Sequence, residues 1–156
     1  MGGASAPGAQ RVDFYVLAGT DELARLKFAC RLAEKAYLAG QRVFVRLQDA
    51  MQLSSFDELL WSFADRSFVP HEPYSEARQW LDTPVLLGCQ NGPEVDYDVL
   101  LNLASEVPLG AERAARIIEI VDAEESRRQA ARGRFRTYRD RELNPQTHHI
   151  AADQGS

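Results

Sequence analysis

Residues 11–47 read RVDFYVLAGTDELARLKFACRLAEKAYLAGQRVFVRL, and this stretch decides the fold. Arg11 to Ala18 is a β-branched and aromatic run bounded by a turn, the pattern of a buried strand. Gly19-Thr20-Asp21 is turn chemistry, with Thr20 or Asp21 placed to cap a helix. Leu23, Leu26, Cys30, Ala33, Tyr37 and Leu38 then recur at helical spacing, and Gly40 ends the helix. Arg42 to Leu47 is a second strand. A strand, a long helix and a second strand make a βαβ unit, which predicts a parallel sheet.

The pattern continues outward from there. Ala50 to Phe63 reads as a helix carrying Leu53, Phe56, Leu59, Leu60 and Phe63. Pro84–Cys89 and Val99–Leu103 read as central strands, with Gln90-Asn91-Gly92-Pro93 turning between them. Arg116–Val121 is a fifth strand candidate, after which Asp122 is placed to cap a last helix running to about Arg139. The expected fold is α/β: one Rossmann-like three-layer domain, with a mostly parallel sheet of about five strands and helices on both faces. That domain is expected to span residues 11–149. A small, polar leader (residues 1–10) and a tail (150–156) are expected to be disordered.

The 156 residues suit a single domain. At 45% apolar and 26% charged, the composition is that of an ordinary globular chain with enough material for a core. Two cysteines, Cys30 and Cys89, exclude a disulfide scaffold and any CxxC motif. No apolar run is long enough to span a bilayer, and Met1–Gln10 lacks the features of a secretory signal. A cytoplasmic protein with no membrane partner is expected. The net charge is −5, which excludes a global basic footprint for duplex DNA. Yet Ser126–Arg139 holds arginines 127, 128, 132, 134, 136 and 139 and no acid. That segment is +6 within a chain of −5, leaving −11 elsewhere, and the asymmetry suggests an anionic partner at one end.

Catalytic templates are missing. The first turn, Ala18-Gly19-Thr20-Asp21-Glu22, has one glycine, and two acids stand where a phosphate would sit. Cys30 and Cys89 read as core thiols. His71 follows Pro70 in a loop, and His148 and His149 read as exposed residues of a polar tail. Glu124 and Glu125 complement the dipole of the last helix. No cofactor and no metal site are expected.

Two features remain. Arg128, Arg132, Phe135, Arg136 and Arg139 fall at i, i+4, i+7, i+8 and i+11, which puts them on one helix face. Guanidinium groups around an aromatic ring suit a ligand that is acidic and also apolar. An acidic peptide end with a hydrophobic residue fits, and so does single-stranded nucleic acid. A plainly solvated helix is the third reading, weakened by the lack of compensating acids. The second feature is Trp61–Tyr74 (WSFADRSFVPHEPY), rich in aromatics and broken by Pro70 and Pro73. It is either a lid over the core or a protein-binding surface.

The chain also resembles the chi-subunit family of the bacterial DNA polymerase III clamp-loader complex. The matching pieces include Phe14-Tyr15, Ala33-Glu34-Lys35-Ala36-Tyr37, Gly40-Gln41-Arg42-Val43, Leu59-Leu60-Trp61 and Ser67-Phe68-Val69-Pro70-His71. Pro84-Val85-Leu86-Leu87, Leu100-Leu101-Asn102-Leu103, Arg116-Ile117-Ile118-Glu119-Ile120-Val121 and Arg132-Gly133-Arg134-Phe135-Arg136-Thr137-Tyr138-Arg139 follow in the family's order. The resemblance implies a non-enzymatic adaptor that links the psi subunit to the acidic, Phe-ending tail of single-stranded-DNA-binding protein. It implies contact with nucleic acid only indirectly. Carried over, the tail site falls on Val121, Arg128, Arg132, Phe135, Arg136 and Arg139. The psi surface falls on Trp61, Phe68, Val69, Pro70 and His71; a helicase is an alternative occupant there. This chain departs from the family where lysines and a tyrosine are usual: Arg128 and Arg136 supply the charge, and Phe135 replaces the phenol.

Overall fold

The computed structural model describes residues 10–75 and 83–151. Its elements run β1 (Arg11–Val16), α1 (Glu22–Leu38), β2 (Val43–Arg46), α2 (Ala50–Ser62), β3 (His71–Pro73), β4 (Val85–Gly88) and β5 (Tyr97–Asn102). A 3₁₀ turn at Ala111–Arg113 precedes β6 (Ala114–Val121), α3 (Glu125–Asp140) and β7 (Gln146–His149). The seven strands form one sheet in the order β3-β4-β2-β5-β6-β1-β7, and every pairing is parallel. The α/β class and the three-layer plan read from residues 11–47 hold; the sheet has seven strands where about five were expected.

Alternation along the strands sorts the two faces. Val43, Val45, Leu47, Ile118 and Ile120 pack under α1 and α2, against Leu26, Ala29, Cys30, Phe56 and Leu60. Val12, Phe14, Phe44, Leu100, Ile117 and Val121 pack on the other side, against Ala131 and Tyr138 of α3. Cys30 is buried, as its place on the apolar stripe suggests, and burial pushes its thiol up to about 12. Asp21, rather than Thr20, caps α1 by accepting the Leu23 N–H. Gly40 turns the chain away from α1 with φ of 79°, a conformation that favours glycine.

Three local expectations change. First, α3 is capped by Glu124, whose carboxylate accepts the N–H groups of Ser126 and Arg127. Hydrogen bonds, that from the Ser126 side chain foremost, carry Glu124 down to about 2. Asp122, expected as the cap, is instead buried and bonds the Arg127 guanidinium at 3.0 and 2.8 Å. Second, His71–Pro73 is an edge strand inside the segment expected to be irregular. Third, His148 and His149 belong to β7, which pairs with β1. His148 Nε2 lies 2.8 Å from the buried Asp13 carboxylate, and its ring stacks on Tyr15. A partner 135 residues away leaves no trace in the local pattern around His148. At the two ends of the domain, Gln10 donates to the carbonyls of Ala111 and Ala114, and the Ile150 N–H donates to Val16. The expected disorder of residues 1–9 and 152–156 lies outside the described residues.

Asp13 also meets Arg116 at 2.8 Å and Arg11 at 2.9 Å. Burial works to raise its carboxyl, but the His148 and Arg116 hydrogen bonds and the two arginine charges outweigh it and hold it below its ordinary 3.8. A lowered carboxyl stabilises the fold above its unfolded-state value, and that stabilisation disappears as pH falls through the lowered value. The fold should therefore keep this contribution down to about pH 4 and lose it in stronger acid. His148→Ala removes one of the lowering contacts. In an acid titration followed by circular dichroism, the variant should begin to unfold at higher pH than the parent.

Candidate functional site

The site is built on α3, and α3 is seated by a buried polar network. Glu119, in the middle of β6, is fully buried. Its carboxylate accepts Arg134 Nε at 2.9 Å, the Tyr138 hydroxyl at 2.7 Å and Asn102 Nδ2 at 3.0 Å. Arg134 is itself buried and also donates to the Ser105 carbonyl. Burial, followed by the Glu119 charge and hydrogen bond, raises the Tyr138 phenol far above its ordinary value, so it stays a donor. An isolated carboxylate here would be costly; three donors compensate it. These four residues come from the LLNL, IIEIV and RGRFRTYR pieces, so much of what makes those motifs distinctive is the seating of α3.

With Arg134 turned inward and Arg127 held by Asp122, the other arginines of α3 face outward. Arg128, Arg132, Arg136 and Arg139 are exposed, in agreement with their helical spacing. Phe135 is half-buried and packs its ring 5.2 Å from that of Phe14. Between α3 and the strands β6, β1 and β7 lies a groove of about 230 Å³. Its floor is apolar: Phe14, Val16, Val121, Ala131 and Phe135. Arg128 and Arg132 stand on one wall, and Thr147 and His149 on the other. Among the described residues no carboxylate lines it. The structure thus brings together Val121, Arg128, Arg132 and Phe135 of the expected tail site. Arg136 and Arg139 lie further along the helix and do not line the groove. Sequence reasoning missed Phe14, Val16, Thr147 and His149. Alternation in β1 could have found the first two, whereas β7 gives no such signal.

The expected psi surface divides in two. Trp61 and Phe68 are 54% and 60% exposed, with ring centroids 5.6 Å apart. Val69, by contrast, is fully buried among the α1 and α2 side chains. Pro70 is partly buried. His71 is buried beneath Trp61, with the rings 4.6 Å apart. Its Nδ1 donates to the Val69 carbonyl at 2.6 Å, since a carbonyl can only accept. Its Nε2 lies 2.9 Å from Asp57, off the line of a hydrogen bond. Val69 and His71 thus support the surface from below, and Trp61 and Phe68 present it.

A second concavity, about 370 Å³, opens at the carboxyl ends of β2, β5 and β6. This is where open parallel sheets usually hold ligands. Here the protein's own side chains occupy the strand ends. Arg25 donates to the carbonyls of Ile120 and Leu103 and pairs with Glu22. Gln52 bonds both Glu22 and the Gln48 backbone, and Gln48 accepts the Ser105 N–H. Among the described residues no group of histidines, cysteines and acids could hold a metal ion, and no helix is long and apolar enough to cross a membrane.

Comparison with known proteins gives the lineage. The family model described as DNA polymerase III chi subunit, HolC, matches residues 9–146. A protein named DNA polymerase III subunit chi from Pseudomonas aeruginosa is 42% identical over 140 residues, covering 90% of this chain and 96% of its own length. The like-named protein of Haemophilus influenzae is 28% identical over 91% of this chain and 99% of its own. That of Escherichia coli is 27% identical over 72% and 77%. A solved structure of a DEAD box protein from the hyperthermophile Methanococcus jannaschii aligns with a TM-score of 0.55 at 12% identity, over 91% of this chain and 42% of that one. That likeness speaks for the fold alone. The chain belongs to the DNA polymerase III chi subunit family and, with it, to the accessory subunits of bacterial DNA replication.

Proposed function

We propose that this chain is a non-catalytic adaptor of the bacterial cytoplasm. Its α3 groove takes the acidic, Phe-ending tail of single-stranded-DNA-binding protein, and its Trp61–Phe68 surface takes the psi subunit. The observation that carries the first part is the pairing of an apolar floor with a cationic wall that, among the described residues, is free of carboxylates. In this reading the tail's last side chain enters between Val121 and Phe135. Arg128 and Arg132 meet its terminal carboxylate, and Arg136 and Arg139 meet acids further upstream. Exposed ion pairs of this kind contribute about 0.2–1 kcal/mol each, so the aromatic anchor supplies most of the discrimination. The carboxyl-end concavity supports the non-catalytic part, because its arginines and glutamines are engaged by protein groups. No cofactor is needed.

Fluorescence anisotropy with a labelled acidic peptide ending in Asp-Ile-Pro-Phe tests this directly, with labelled oligo-dT of similar charge as comparator. Micromolar peptide binding that is lost without the final Phe is the expected result. Binding to oligo-dT alone would mean that the arginine row of α3 reads phosphates, and the adaptor reading would fall. For the second surface, Trp61→Ser with Phe68→Ser should abolish capture of purified psi subunit, leave peptide binding unchanged and barely alter Tm. Full retention of psi by that double variant would remove the surface from the account.

A further inference from the structure

The same groove has a second property: one of its walls is an open sheet edge. β7 is the outermost strand, and among the described residues nothing pairs with its far side. The direction of its backbone groups follows from one bond and the register. The Ile150 N–H donates inward to Val16, 2.9 Å away, and Tyr15 faces His148 across the ladder. Along a strand, backbone groups turned toward one neighbour alternate with groups turned toward the other. His148 therefore turns its N–H and carbonyl to β1, and Thr147 and His149 turn theirs outward. Both of these residues are exposed. Their side chains are the ones that line the groove. A single pair of residues thus offers backbone hydrogen bonds at the edge and side-chain walls to the groove above it.

Exposed edges are usually blunted by lysine, proline or a bulge. The opposite edge, β3, is three residues long and ends in Pro73. β7, Gln-Thr-His-His, is four residues long and contains no lysine or proline. We propose that the acidic tail binds by strand addition, pairing its backbone with Thr147 and His149 as an eighth strand of the sheet. The inference rests on the tail reading above and specifies its geometry. An added strand would lie about 4.8 Å beyond β7 and send every second side chain to the α3 side. The last residue leaves the ladder and turns across β7, so that its terminal carboxylate meets Arg128 and Arg132 and its side chain reaches the groove floor. Charge complementarity selects this occupant: the groove wall is cationic and, among the described residues, carries no acid, as an acidic peptide requires.

The test is an N-methyl walk. The Asp-Ile-Pro-Phe peptide, extended by its acidic residues, is methylated at one backbone N–H at a time, the proline having none, and binding to the full chain is measured by anisotropy. Strand addition predicts losses of tenfold or more at alternate positions and little effect between them. On the protein, Thr147→Pro deletes an outward N–H that the fold does not use, so it should weaken binding tenfold or more beyond Thr147→Val, which alters the same groove-lining side chain but keeps that N–H. Should Thr147→Pro fail to fold, the peptide walk on the unaltered chain decides alone. An unmodified peptide that does not bind at all brings down the tail reading, and this inference with it. A peptide that binds with no alternation in the walk overturns strand addition and leaves the groove in place. A concentration-dependent dimer that the peptide cannot dissociate would assign the edge to a second copy and overturn it as well.

Discussion

Glu119→Ala is expected to destabilise the fold by about 3–5 kcal/mol, enough to unfold a marginal domain. The change leaves the Arg134 guanidinium buried without its counter-charge and strips an acceptor from the Tyr138 hydroxyl and the Asn102 amide. Breaking a buried pair costs far more than the pair contributes, because the remaining charge stays desolvated. Two comparisons separate this from simple loss of packing. Glu119→Leu should be nearly as damaging as Glu119→Ala, although it refills the volume. Glu119→Leu with Arg134→Leu should recover much of the loss, since no lone charge remains. Urea unfolding followed by circular dichroism measures all three. A cost under about 1 kcal/mol for the single change would mean that the network does not hold α3.

Arg132→Glu is expected to weaken tail binding by about a hundredfold, or ~2.7 kcal/mol. The reversal does more than remove one cation. It puts a carboxylate into a wall that has none among the described residues, facing a ligand that is itself acidic. Arg132 is exposed and its side chain bonds no protein group among the described residues, so Tm should stay within a degree or two of the parent's. A neutral Arg132→Ala should lose less, and the difference between the two variants should shrink as salt rises. Calorimetric titration with the peptide at two ionic strengths checks both statements. Equal affinities for the parent and Arg132→Glu would move the site elsewhere.

How much was legible depends on where each residue's partner lies. The βαβ plan was readable because residues 11–47 alternate apolar pattern and turn chemistry within a few residues of each other. Helical spacing also sorted the arginines of α3. It placed Arg128, Arg132, Arg136 and Arg139 on one face, leaving out Arg127 and Arg134, which the structure turns toward Asp122 and Glu119. The fate of those two could not be read, since their partners are acids outside the helix. Glu119 stands in an apolar strand with no local sign that three donors converge on it. β3 and β7 were missed because three or four mostly polar residues show no alternation to detect. β7 was the larger loss: it supplies one wall of the groove, and its His148 is held by Asp13 at the far end of the chain. In the aromatic segment, composition left a lid over the core and a binding surface both open, and could not separate Val69 and His71, which face inward, from Trp61 and Phe68, which face solvent.

The central claim is that the groove between α3 and β7 holds the tail. Titrating the isotopically labelled chain with the Phe-ending peptide, and following backbone amide shifts by NMR, tests it most directly. The account predicts that the largest shifts gather on Val16, Val121, Arg128 to Phe135, and Thr147 to His149, and that a peptide lacking the final Phe does not move these signals. Shifts gathered instead around Arg25, Gln48 and Ser105, at the carboxyl ends of the strands, would contradict it and make that concavity the binding site.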